Sequence, residues 1–172
     1  TLCSILLFGM WILFNVEVVL SSIGMDELKG LAFRGGALYL GGLFLYVVLT
    51  IIFAPFSFGE VQVRISEALT VLPFFTPAAI PGLFVGCIIA NLFGGAIPAD
   101  IVFGSIATLL GALGTYALRK KSRFLAPLPP IIANTLIVPW VLRYAYGAPD
   151  LIIYMIGTVG IGEILAIGVL GN

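Results

Sequence analysis

Two glutamates stand where a carboxylate is costly. Glu67 lies in ISEALTVLPFFTPAAIPGLF, an apolar stretch broken by Pro73, Pro77 and Pro81, and Glu163 follows the glycine-rich string GTVGIG near the end of the chain. With a mean hydropathy of +1.21 and only 9% charged residues, the chain has lipid as its solvent. An ionisable group on an apolar helix in lipid marks a ligand, ion or proton site. Prolines are tolerated at that depth only where neighbours or a cavity satisfy the freed carbonyls. The first stretch therefore reads as a binding site built into a helical membrane protein. The glycines before Glu163 let a neighbour or a ligand approach the backbone there.

Other side chains able to recognise a ligand lie in or beside the same apolar runs. Asn91 and Asn134 supply amides, which either contact a ligand or hydrogen-bond between helices, worth about 1 kcal/mol in lipid. Arg64, one turn before Glu67, either neutralises that acid or orients it. Asp100 is a ligand contact or a helix cap, and Asp150 also precedes an apolar run, where aspartate commonly caps. Phe74, Phe75, Tyr46, Tyr144 and Trp140 offer flat apolar faces, or serve as packing and interface anchors.

Several chemistries are excluded or disfavoured. The chain has no histidine, which removes the commonest general base and the commonest zinc ligand. It carries no HExxH, no paired-aspartate helix motif and no P-loop. No catalytic residue, metal or cofactor is expected. Cys3 and Cys87 are far apart in apolar runs and read as small core residues. The 8 basic and 8 acidic residues cancel, so no field gathers nucleic acid.

The elements that must hold these residues are apolar helices. Runs at about 3–20, 31–55, 65–75, 79–97, 101–118, 125–146 and 151–170 are separated by polar, proline or glycine breaks. The expected fold is an all-α bundle of six transmembrane helices over residues 31–172, with a hydrophobic segment of uncertain role at 1–30 that adds a further helix if it spans. With RKKSR (119–123) cytoplasmic, Lys29, Arg34, Arg119, Lys120, Lys121 and Arg123 lie inside, and Arg64 and Arg143 outside. The positive-inside rule favours this orientation. Loop 56–64, with Glu60 and Gln62, then faces outward as a lid or a plain hairpin.

Small residues recur at helix-packing spacing: Ala32/Gly36, Ala37/Gly41, Gly82/Gly86, Gly86/Ala90, Ala107/Gly111 and Gly162/Ala166. Such pairs let backbones approach closely in lipid. Most suit packing inside the bundle. The denser group at Gly36, Ala37 and Gly41 suits either that or docking on another membrane subunit.

In order along the chain, VVLTIIFAPFSFGEVQVRISEALTVLPFFTPAAIPGLFVGCIIANLFGG, DIVFGSIATLLGALGTYALRKK and LAPLPPIIANTLIVPWV resemble the QueT family of queuosine-precursor transporters. The resemblance runs from about Leu31 to Gly171. The family implies a substrate-binding membrane subunit (S-component) of an energy-coupling factor transporter in a prokaryotic plasma membrane. It implies six helices with both ends cytoplasmic, a pocket opening outward, a transmembrane coupling subunit and two ATPase subunits. Residues 1–29 have no counterpart, and Gly35, Gly36, Gly41 and Gly42 stand where alanines are expected. The implied ligand is a 7-deazaguanine base with a short cationic arm. Its two adjacent N–H donors, its carbonyl, its flat face and its charge call for acids, an amide and aromatics. The expected contacts are Glu67, Glu163, Asn91, Asn134, Arg64, Asp100, Phe74, Tyr144 and Trp140. The alternative is an S-component-like or secondary carrier for another purine-like or vitamin-like molecule, although no internal repeat of the secondary-carrier kind is visible.

Overall fold

The computed structural model of the chain describes residues 26–57 and 63–171. The apolar run 3–20, Glu60 and Gln62 lie outside these, as do the side chains of Lys29 and Arg34. All regular structure among the described residues is helical.

Helix α1 (Asp26–Ile52) ends three residues before Pro55. Proline has no N–H to donate to the carbonyl four residues back, so the helix cannot run on unbroken. A single turn, Ala54–Ser57, follows. The segment carrying Glu67 is a 3₁₀ helix, Ile65–Phe74, with Pro73 inside it. Runs of that kind longer than 3–4 residues are uncommon. At about 2.0 Å rise per residue, ten residues reach about 20 Å, against about 15 Å for an α-helix.

Helix α2 (Ala79–Phe93) tolerates Pro81 because the first turn has no acceptor for that N–H, and Gly95 at φ 74° closes its far end. Helix α3 (Pro98–Leu118) begins on a proline, whose φ suits a first helical position. A short 3₁₀ turn, Arg123–Leu125, leads to α4 (Leu128–Tyr144), and α5 (Ile152–Glu163) runs into a π-helical turn, Ile164–Val169.

Four of these segments are long and apolar enough to cross a membrane: Gly35–Ile52, Pro98–Leu118, Arg123–Tyr144 and Ile152–Val169. The 3₁₀ helix and α2 are shorter. The packing is what lipid demands. Phe44, Leu45, Ile52, Phe103, Leu136, Ile153 and many other large apolar side chains are exposed, while Arg64, Glu67, Asn91, Asp100, Thr108, Asn134 and Glu163 are buried. A water-soluble protein would not expose so much apolar surface.

Consecutive helices pack as neighbours, with α1 on α2, α2 on α3, α3 on α4 and α4 on α5. The 3₁₀ helix sits inside this row, touching α1, α2, α3 and the π-turn. Close approach explains some of the small residues. A Cβ at Gly82 would lie 2.5 Å from the Tyr39 carbonyl oxygen, and one at Gly111 would lie 2.6 Å from Pro130 Cα. At Gly41 an added Cβ would meet nothing within 4 Å, so the side of α1 there is open.

Two capping expectations are corrected. Helix α3 starts at Pro98 with Ile97 as its cap residue, so Asp100 lies inside the first turn and makes no cap bond. Helix α5 starts at Ile152 with Leu151 as its cap residue. Asp150 stays in the preceding loop, where its carbonyl accepts from Arg143 at 3.2 Å.

Candidate ligand-binding site

The buried acids and amides, with Arg64, form one centre between the 3₁₀ helix and the long helices. Glu67 and Glu163 are 1% and 3% exposed. Each stands where the backbone departs from the α-helix, Glu67 in the 3₁₀ segment and Glu163 at the junction with the π-turn. Irregular backbone at membrane depth persists only where protein buries it or a cavity adjoins it, and π-turns recur at functional sites. The two departures and the two acids therefore coincide.

In the middle of the centre, Glu67 Oε1 accepts hydrogen bonds from the Tyr46 hydroxyl and, at 3.0 Å, from Thr108. Thr108 Oγ1 is also 3.4 Å from Cys87 Sγ and 3.2 Å from the Gly104 carbonyl oxygen. A hydroxyl has one proton, and Glu67 is the nearest acceptor. Glu67 Oε2 is buried with no hydrogen-bond partner among the described residues, and so is Glu163 Oε2. Glu163 is close enough to Glu67 and Arg64 to feel both charges, and the Asn134 amide lies beside it. Asn134 Nδ2 and Ser105 Oγ are likewise buried and without partners among these residues.

On one side the centre is closed by an ion pair. Arg64 Nη2 lies 3.2 Å from Asp100 Oδ2, with both side chains buried. Asp100 Oδ2 also accepts from the Tyr146 hydroxyl at 3.1 Å, and the Ile97 N–H donates to that hydroxyl at 3.4 Å. Gly104 makes room for this group: a Cβ there would meet Asp100 Oδ1 at 3.2 Å, Asn91 Nδ2 at 3.4 Å and Arg64 Nη1 at 3.5 Å. Tyr146 lies beyond the end of α4 and is 43% exposed. Burial and the neighbouring Asp100 carboxylate push its phenol above the ordinary tyrosine value.

The fold thus brings together six of the nine expected contacts: Glu67, Glu163, Asn91, Asn134, Arg64 and Asp100. The ionic partner seen for Arg64 is Asp100 rather than Glu67. The aromatics lie elsewhere. Phe74 is half-buried against Val71, Ala126, Ala166 and Ile167, with its ring edge-on to Phe75. Trp140 and Tyr144 are 50% and 74% exposed and stack on each other at 5.9 Å. They line an apolar groove of about 380 Å³ with Ala99, Phe103 and Leu136, which includes none of the buried acids. Three members of the centre are not legible in sequence as polar contacts: Tyr46, which reads there only as a stacking face, Thr108 and Tyr146. Thr108 lies eight residues after Asp100 along α3, and that helical spacing was the available signal.

A profile of the QueT transporter family matches residues 44–172, a span that includes every residue of this centre. A stretch of 68 residues is 35% identical to the queuosine precursor transporter QueT of Lactococcus lactis subsp. cremoris (strain MG1363). The match covers 38% of this chain and 40% of that protein, so less than half of the relative's length is spanned. No solved structure matches the chain. With three quarters of its length matched by the profile, the chain belongs to the QueT transporter family.

Proposed function

We propose that residues 31–172 form the membrane-embedded substrate-binding subunit for uptake of a queuosine precursor of the 7-deazaguanine type, in its aminomethyl form. The observation that carries this reading is the pair of buried carboxylate oxygens, on Glu67 and Glu163, without partners among the described residues. A buried acceptor left unpaired costs about 1–3 kcal/mol, more when charged. A ligand bearing N–H donors and an ammonium relieves that cost, and Asn134 Nδ2 is available for a carbonyl. Of the three buried acids, only Asp100 has a basic side chain within ion-pair distance among the described residues. An assembly subunit without a ligand would be expected to pair all three.

Six membrane crossings follow if the 3₁₀ helix and α2 span as well, with both ends of the domain cytoplasmic in a prokaryotic plasma membrane. The 172 residues hold no P-loop, so an energy-coupling factor module supplies the energy: a transmembrane coupling subunit and two ATPase subunits. The open side of α1 at Gly41, with the exposed Ala37, is the contact for the coupling subunit, whereas Gly36 is buried and serves packing inside the bundle. Residues 1–30 hold a further hydrophobic stretch, and its last five residues open α1.

The test is calorimetric titration of the detergent-purified protein, with mass spectrometry of any small molecules it releases. The aminomethyl form should bind more tightly than the cyano form, which lacks the ammonium. Glu67→Gln should weaken it by roughly 10- to 150-fold, the loss of a charged hydrogen bond. Unchanged affinity in the variant removes Glu67 from the site. Accumulation of the precursor against a gradient by proteoliposomes holding this chain alone makes it a secondary carrier instead.

A further inference from the structure

Glu67 is not available to a ligand with both of its oxygens. Oε1 already accepts from two hydroxyls, Tyr46 on α1 and Thr108 on α3. Tyr46 is 1% exposed and belongs to the buried apolar cluster that includes Leu43, Val47, Leu83 and Cys87. A phenol held by its ring has little freedom to move its hydroxyl away. Thr108 is itself wholly buried on the opposite helix. The carboxylate is therefore gripped from two sides, and Oε2 is the oxygen left over.

We propose that Tyr46, assisted by Thr108, is the positioning residue of the ligand site: it holds Glu67 so that Oε2 alone faces the ligand. A bidentate contact, in which adjacent N–H groups of a ligand take both oxygens of one carboxylate, is closed at Glu67. The second acceptor is Glu163 Oε2, which is buried, without a partner among the described residues, and on a different helix. The ligand class is thereby narrowed to molecules that present N–H donors toward two separate carboxylates. The ion pair of Arg64 with Asp100 leaves this pair of acids to a cationic ligand. The ligand arm of the inference rests on the binding role proposed above; the grip on Glu67 does not.

Two measurements separate them. Infrared spectra of protein carrying isotope-labelled glutamate, with no ligand added, contain a carboxyl band that disappears in Glu67→Gln. That band should shift in Tyr46→Phe, which keeps the ring, and by less in Thr108→Val. A band unmoved in Tyr46→Phe, in protein whose melting temperature shows it to be folded, overturns the grip. The second measurement is a double-mutant cycle with 7-aminomethyl-7-deazaguanine as probe. Tyr46→Phe should weaken binding roughly tenfold alone, yet change it by less than about twofold in the Glu67→Gln background, because residues acting through one another are not additive. A tenfold loss in both backgrounds assigns Tyr46 a general packing role and overturns the positioning. If the unaltered protein does not bind the probe, the proposed function falls, and the infrared shift still decides the grip.

Discussion

Arg64 and Asp100, 36 residues apart in sequence, form a buried ion pair at 3.2 Å that joins the start of the 3₁₀ helix to the first turn of α3. Tyr146 adds the loop after α4 to the same carboxylate. Three segments expected on one side of the membrane are thus fastened to each other, and the polar centre lies beneath them. At the opposite end Thr115 donates to the Ala126 carbonyl at 2.8 Å, and Ala126 packs with Val71 and Ile167.

Removing one partner of this pair leaves the other charge buried. Asp100→Leu should destabilise the protein by about 3–5 kcal/mol, whereas Arg64→Met with Asp100→Leu should recover most of that, since apolar replacements of a whole buried pair are often neutral. Thermal unfolding in detergent measures both. Equal losses in the single and double variants would mean that the pair is not what holds these segments.

Tyr146 makes this closure sensitive to alkali. Its phenol is raised above the ordinary tyrosine value by burial first and by Asp100 second. A group whose folded value exceeds its unfolded value contributes stability that is full below the unfolded value and is lost as pH rises through the folded one. The melting temperature of the protein should therefore fall above about pH 10, and fall less steeply in Tyr146→Phe. Identical alkaline slopes would show that this phenol does not titrate with unfolding.

The orientation has a direct check. Single cysteines at Ser122 and Ala148 should react with an impermeant reagent from opposite faces of the membrane. Cys3→Ser removes one native thiol, and Cys87 is wholly buried and out of reach of the reagent. Labelling of both positions from one face would refute the alternating arrangement.

The open side of α1 predicts a separation of functions. Gly41→Leu adds a side chain where nothing lies within 4 Å of an added Cβ, so folding and ligand binding should be unchanged. Co-purification with a coupling subunit should be lost, because small residues admit close helix approach. Retention of the subunit by Gly41→Leu would move the docking face elsewhere.

Hydropathy alone told that this chain is helical and lives in lipid, because each crossing of a bilayer must bury its own backbone hydrogen bonds. The breaks at 56–64, 98–100, 119–123 and 147–150 carry their own proline, glycine or charge signals, and the helix limits fall within a few residues of them, although Pro98 and Asp100 belong to the first turn of α3. Glu67, Glu163, Asn91 and Asn134 stood out because a polar side chain in an apolar run has few reasons to be there. Which of them meet, and through which atoms, was decided only by tertiary structure. Asp100 looked like a cap, since capping is a local rule; its partner Arg64 lies on another segment. Tyr46 reads in sequence as a stacking face, whereas in the fold its hydroxyl donates to Glu67. Trp140 and Tyr144 had the right types for a base-stacking wall, but the rotation of α4 turns them outward and Asn134 inward. The 3₁₀ and π geometries at the two acids were equally out of reach, because they follow from how neighbouring helices pack and not from any local propensity.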